Sequence, residues 1–582
     1  MSLCSDKGRT EIIINFDSDF QKKQDGKVEK ECSKDTETNE KETEPIPPTP
    51  AETSPVKKKM KSTNIFLLFC ILGICSAGVL HQYLLNKNIR HKRYWISSKN
   101  QDKVIARNGI LKHLHLVMER IGYVLGSPDN WDVLWTHDYP FRANYSISLH
   151  NLDPGKKVNH FPGTAFFTSK VDLATSKARY VPKAFRLPKQ KTEFLRYALE
   201  HPKALFVEKN NNHRAVFLKN VSDIDVNNAK KFVQEYIDNP LLVDGHRFDI
   251  GVYVVFTSVD PLRAYWYKGD VLFRYCPDKY HPFDPKNVDK YVVRDPYRPT
   301  WEVGKLTRLH QTLGYSMKDT FETYIRSEGY DPEIIWEKVF AAIADVFLIN
   351  EQNIMARFNS SKSFFEMVRF DLIADDDLNV YLLEANLSPN LSSDKYVANQ
   401  LLYEQILYNL ASLVGISSPT VGYKAPDHLH FRDRPSLTAA EECNCKLFRA
   451  MLFKAIFADS IVAGATINVI LSFSHREQEW VESMVGTDKN IVTWCDECAA
   501  DCTLSCAARP SCALCKHCMS PEQKRNLLAA HREHYRKGDF GRIFPPNMVG
   551  ASHWVYKHLT QNNKLQYLWF QGKCNKDPSW CS

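Results

Sequence analysis

Residues 364–392 read "FFEMVRFDLIADDDLNVYLLEANLSPNLS". Two apolar runs flank an acidic turn, and no other stretch of the chain limits its folding as tightly. "FFEMVRFDLIAD" and "NVYLLEANLS" are strand-like, and "DDDLN" supplies turn residues, so an antiparallel hairpin is expected. That hairpin brings Asp371 near Glu384 and Asn386. Glu384 and Asn386 are two residues apart and share one face of their strand. Three oxygen-bearing side chains at one strand end suit a hard cation. Mg2+ takes few protein oxygens and fills its octahedron with water and phosphate oxygens. Three polar residues facing water would have the same spacing.

The rest of the middle region alternates strand pairs with helices. "KALFVEK" and "HRAVFLK" read as short strands around "NNN", ending and starting with Lys209 and Arg214. A phosphate chain fits across such a turn, although no glycine-rich loop is present. "NNAKKFVQEYI" reads as a short helix running into an extended segment. "YIDNPLL" follows as an extended linker suited to the passage between two lobes. "FDIGVYVVFTSV" and "LRAYWYKGDVLFRYC" read as a strand pair joined by "DPLR". Arg247 and Asp249 open the first strand, and Arg274 ends its partner. Helices are expected at 191–200, 317–350 and 396–414. The fold class is therefore α/β or α+β.

The flanks differ in composition. Residues 1–61, rich in Pro, Thr, Glu and Lys, are expected to be a disordered tail. Residues 62–86 hold no Asp, Glu, Lys or Arg over 25 positions. That length is enough to cross a bilayer, so a single-pass membrane helix is expected. Lysines and arginines flank it on both sides, which leaves its orientation undetermined. Residues 421–582 form a Cys-rich region holding eleven of the sixteen cysteines. Seven lie within "CDECAADCTLSCAARPSCALCKHC", where disulfides in an oxidising lumen and zinc ligation both fit, disulfides better. Sequons at Asn144, Asn220, Asn359, Asn386 and Asn390 also suit a lumen. A cytosolic location is what a tubulin substrate would require. The net charge of +8 suits an acidic partner, and no basic, aromatic-interleaved stripe points to nucleic acid.

From His160 to Ile416 the motifs "NHFPG", "VPKAFRLP", "FVEK", "VQEYIDNPLLVDGHRFDI", "VLFRY" and "RFDLIADDDLNVYLLEANLSPNLS" follow one another in order, with "GDFGRIFP" beyond. This run resembles the tubulin–tyrosine ligase-like family, and within it the divergent membrane-anchored probable polyglutamylases. The resemblance implies an ATP-grasp ligase core over 159–420, with 87–158 as its N-terminal part. It implies ATP and Mg2+ as cofactors, free glutamate as co-substrate and the acidic tail of tubulin as acceptor, joined through an acyl phosphate. By position, Lys209 resembles the phosphate-contacting lysine, and Arg214 belongs to the same turn. Gln234, Tyr236 and Ile237 resemble the adenine-facing linker. Arg247 resembles a nucleotide-contacting cation, with Asp249 after it. Arg274 resembles the arginine near the transferred phosphate, and Asp371, Glu384 and Asn386 resemble the metal ligands. Two departures stand out. The family usually reads F-D-[IL]-R, whereas this chain has Gly251 in the arginine's place. The family's "HLTN" is replaced by "VDKYVVRDPY", which offers Lys290 and Arg294 as substitute cations. A pseudoenzyme or lumenal scaffold that binds without ligating is the alternative these departures leave open.

Overall fold

The computed structural model describes residues 91–98, 106–141, 149, 152–153, 155–209, 217–355, 363–417, 514, 518–546 and 559–581. The expected tail at 1–61, the stretch 62–86, Arg214 and the densest cysteine run at 495–512 lie outside them.

One long strand organises the large sheet. β10, His246–Val259, spans fourteen residues rich in Val, Ile, Phe and Tyr, types that pack well on a pleated surface. Its length lets it serve four neighbours at once, the shortest being Leu242–Val243. Along one edge its first half pairs with β12, Leu272–Tyr275, and its second half with β11, Leu262–Tyr267. Along the other edge runs β14, Glu366–Ala374, which pairs in turn with β15, Val380–Asn386. "LRAYWYKGDVLFRYC" is thus two short strands on one edge of β10. The chain leaves the edge at "KGD" and rejoins it further down.

A smaller antiparallel sheet has the order β5–β8–β6–β7, from Ala184–Arg186, Phe232–Tyr236, Leu205–Lys209 and Phe217–Lys219. Its core is Phe185, Phe206 and Val233 against Phe194 of the helix Lys191–Glu200. The helix expected in "NNAKKFVQEYI" is corrected to turns leading into β8. Phe232, Val233 and Gln234 are all buried there, so ladder pairing with β5 and β6 overrides a weak local propensity.

The aromatic centre of the main core lies where the helix Pro332–Met355 crosses the large sheet. Phe347, fully buried, sits 4.4 Å from Phe256 and 5.8 Å from Phe370, ring centre to ring centre. This helix is the longest described and carries Glu333, Glu337, Lys338, Asp345 and Glu351. Its buried apolar residues, Val339, Ile343, Val346 and Phe347 among them, belong to the main core. Among the described residues no helix is long and apolar enough to cross a membrane. That corrects the expected single-pass membrane location as far as the described residues go, and the stretch 62–86 itself lies outside them.

Beyond residue 514 a described segment joins the large sheet. Phe540–Phe544, β16, pairs with β11 and extends the large sheet. Glu533, on the helix Pro521–Arg536, accepts bonds from Arg263 at 2.7 and 3.0 Å, Tyr265 at 3.0 Å and Thr257 at 2.7 Å. Cys574 and Cys581 form a disulfide in the same region. Glu533→Ala leaves the Arg263 guanidinium, only 3% exposed, buried without its carboxylate. A loss of about 3–5 kcal/mol is expected from urea denaturation of the full chain. A change within about 0.5 kcal/mol would mean that this ion pair does not fasten the C-terminal helices.

Candidate active site

The site is one face of four adjacent strands. Strand alternation puts Asp249, Gly251 and Tyr253 on the same face of β10, and Arg369 and Asp371 on the same face of β14. The registers then align them. Asp249 lies opposite Arg274, Gly251 opposite Asp371, and Tyr253 opposite Arg369. Across the hairpin Asp371 lies opposite Glu384 and Arg369 opposite Asn386. The register shifts between Asp371 and Leu372, and such a bulge re-aims side chains at a strand end.

Asp371 is the hub. Its carboxylate, 1% exposed, accepts from Arg369 Nε at 2.6 Å and Nη2 at 2.9 Å, from Arg274 Nη2 at 2.9 Å and from Asn386 Nδ2 at 2.8 Å. Arg274 also grips Asp249 with Nε at 2.9 Å and Nη2 at 2.6 Å. Asn386 donates a further bond to Glu384 at 3.1 Å, and Lys170 Nζ lies 2.5 Å from the other Glu384 oxygen. The hairpin therefore brings Asp371, Glu384 and Asn386 together as the sequence spacing implies.

Burial and charge set the protonation states. Burial lifts Asp249 to about 6 even against Arg274, with the neighbouring Asp371 adding to the rise. Burial would also raise Glu384, but Lys170, Asn386 and Arg369 overcome it and hold the carboxyl far below its ordinary range. Both arginines resist the desolvation that would lower them, because the carboxylates keep them charged.

The smaller sheet contributes the opposite wall. Lys209, at the end of β6, donates to Gln234 Oε1 at 2.7 Å, and Gln234 Nε2 reaches the Pro182 carbonyl at 3.2 Å. Arg247 donates to the Tyr236 hydroxyl at 2.7 Å and the Ile237 carbonyl at 2.8 Å, with its guanidinium 4.6 Å from the Tyr236 ring centre. Tyr236 belongs to a buried aromatic cluster with Tyr280 and Tyr291. Lys209, Gln234, Tyr236, Ile237 and Arg247 thus form one linked wall. Lys290 does not join either group. Its ammonium donates to the Pro282 carbonyl at 2.7 Å, and Arg294 pairs with Asp289 on the surface.

The donor set fits a hard cation: two carboxylates, with a carboxamide within hydrogen-bond reach of both. Among the described residues no group of three or more His, Cys, Asp or Glu is disposed to hold a metal, and Asn386 turns its amide Nδ2, a donor, to both carboxylates. The surrounding charge fits a polyanion. Lys170, Lys209, Arg247, Arg274 and Arg369 face Asp249, Asp371 and Glu384. That leaves cations in excess.

Sequence comparison agrees with this geometry. The profile described as "Tubulin-tyrosine ligase family" matches residues 148–420. A "Probable tubulin polyglutamylase ttll-15" from Caenorhabditis elegans is 37% identical over 487 residues, covering 82% of this chain and 85% of that protein. The chain belongs to the tubulin-tyrosine ligase family. More distant members include the "Tubulin polyglutamylase TTLL6" of Mus musculus, 28% identical over 320 residues. The "Tubulin polyglutamylase TTLL7" of Xenopus tropicalis is 24% identical over 372 residues. These two alignments cover 49% and 57% of this chain, and 38% and 40% of the relatives.

Within this family member, two site residues escape sequence reasoning. Lys170 lies far from the hairpin in sequence, on the short helix Lys170–Ala174. Arg369 stands inside an apolar run, where its two-residue offset from Asp371 is the one available signal.

Burial pushes the Lys209 ammonium down to about 8, with Lys170 and Arg247 acting the same way and Glu384 opposing them. Between about pH 8 and the ordinary lysine value of about 10.4, the unfolded chain holds a proton at this position that the folded chain lacks. Stability contributed at Lys209 therefore rises with pH through that window. In urea titrations at pH 7, 8.5 and 10, Lys209→Met is expected to be the more stable form at pH 7, with its advantage shrinking as pH rises. A constant difference would show that burial does not depress this lysine.

Proposed function

We propose that the protein is an ATP- and Mg2+-dependent ligase that joins glutamate to a glutamate side chain of tubulin through an amide bond. The observation that carries this reading is the convergence of Asp371, Glu384 and Asn386 among an excess of cations. The printed names of the relatives support glutamate and tubulin as the substrates, and the net charge of +8 is compatible with an acidic acceptor tail.

In the proposed reaction a carboxylate oxygen of the acceptor attacks the γ-phosphorus of ATP, the bond to the bridging oxygen breaks, and ADP leaves. The amine of the incoming glutamate loses a proton and attacks the acyl carbon. The carbon–oxygen bond then breaks, releasing inorganic phosphate and leaving the amide. Little of this chemistry needs a protein nucleophile, so positioning and charge neutralisation are what the chain supplies. Asp371, Glu384 and Asn386 would hold Mg2+, which would supply further charge neutralisation there. Lys209 holds the nucleotide from the smaller sheet, and Arg247 from the start of β10. Arg274 faces the transferred group, and Asp249 is a positioning residue that fixes its guanidinium with two hydrogen bonds.

The test is incorporation of labelled glutamate into tubulin by the full chain, with ATP and Mg2+ supplied or withheld. Incorporation dependent on both is expected, and Glu384→Gln is expected to lower it by at least about 100-fold. No incorporation by a wild-type protein that binds Mg·ATP would establish a nucleotide-binding module in place of a ligase.

A further inference from the structure

Gly251 sits in the middle of the longest strand, where a glycine weakens pairing and leaves a gap. A positive φ does not explain it, since Gly251 is not among the residues with positive φ. Space does. A Cβ at this position would lie 3.1 Å from Arg369 Cδ, 3.2 Å from the Leu272 carbonyl oxygen and 3.3 Å from Leu272 Cβ. The side chain of Arg369 passes directly over the glycine. It is 7% exposed and rises from a strand whose residues are all buried.

A guanidinium in such a place costs several kcal/mol unless it is paired. Arg369 pairs with Asp371, yet Asp371 already binds Arg274 and Asn386. Arg274 divides its bonds between Asp371 and Asp249, and the pair with Asp371 uses Nε and Nη2 of Arg369, so the Arg369 Nη1 amino group is not committed to that carboxylate. A planar guanidinium matches the oxygens of a phosphoryl group as well as those of a carboxylate.

We propose that Arg369 is a phosphoryl-contacting residue that acts with Arg274 on the terminal phosphate of the nucleotide, and that Gly251 is required because Arg369 crosses it. The guanidinium that the family pattern places on β10 is supplied here from β14. The proposal rests on the ligase reading for the identity of the nucleotide.

The experiment measures binding of Mg·ATP analogue (non-hydrolysable) and of Mg·ADP to the full chain by titration calorimetry, alongside glutamate incorporation. Arg369→Gln is expected to weaken the ATP analogue by about 10- to 100-fold, the worth of a hydrogen bond between charged groups. Its affinity for ADP should stay within about twofold, since that nucleotide lacks the contacted group. Gly251→Ala keeps every charge and displaces Arg369, and it is expected to lose part of the same preference. Arg369→Lys should recover part of it. Equal loss of ATP analogue and ADP in Arg369→Gln, or loss of neither, would reduce Arg369 to a structural partner of Asp371 and overturn the proposal. Should Arg369→Gln fail to fold, Gly251→Ala decides by the same two ratios. A wild-type chain that prefers the ATP analogue but incorporates no glutamate overturns the ligase reading alone. One that binds neither nucleotide overturns both.

Discussion

The buried carboxylate of Asp371 is where the large sheet and the site become one structure. Three strands meet there, because β10, β14 and β15 each place a residue beside it. Two guanidiniums and an amide satisfy its oxygens. Removing any one partner would leave charge stranded at 1% exposure. Register is thereby coupled to electrostatics: a one-residue slip of β14 would turn Asp371 and Arg369 to the opposite face. The aromatic packing beneath, with Phe347 against Phe256 and Phe370, resists that slip from the apolar side.

Much of this arrangement was readable from one hairpin. Asp371, Glu384 and Asn386 could be grouped because the acidic turn sets how the two runs pair, and because strand alternation is strict. The same logic fails one strand further away. β14 is buried on both faces, so polar and apolar residues do not alternate and Arg369 reads as one charge in an apolar run. Its meaning depends on the register with β10, a contact more than a hundred residues distant that no local pattern encodes. Lys170 is hidden for the same reason. Lys290 looked useful by chain order, yet its turn folds back on Pro282.

The C-terminal segment gives a similar lesson. By composition the region after 420 reads as a separate Cys-rich module. "GDFGRIFP" nevertheless supplies β16 at the edge of the large sheet, and the buried Glu533 meets a side-chain triad on β10 and β11. Sheet edges invite completion by whatever strand the chain can deliver, and composition does not announce which strand that is. Several local readings were overruled in this way by non-local pairing, β8 among them.

An excess of buried cations is costly for a chain at rest, and its distribution over the site explains how it is tolerated. Arg274 and Arg369 are held by Asp249 and Asp371, Lys170 by Glu384, and Arg247 by a hydroxyl and a carbonyl. Lys209 has an amide oxygen for its partner, and it is the cation whose ammonium burial pushes down to about 8. The unpaired part of the charge is thus carried at the lip of the smaller sheet, where a proton is given up most cheaply. An arriving polyanion would reverse that shift. Gly251 fits the same scheme: omitting one side chain from β10 lets β14 deliver a guanidinium to Asp371, a carboxylate only 1% exposed, without adding a further charge to the central strand.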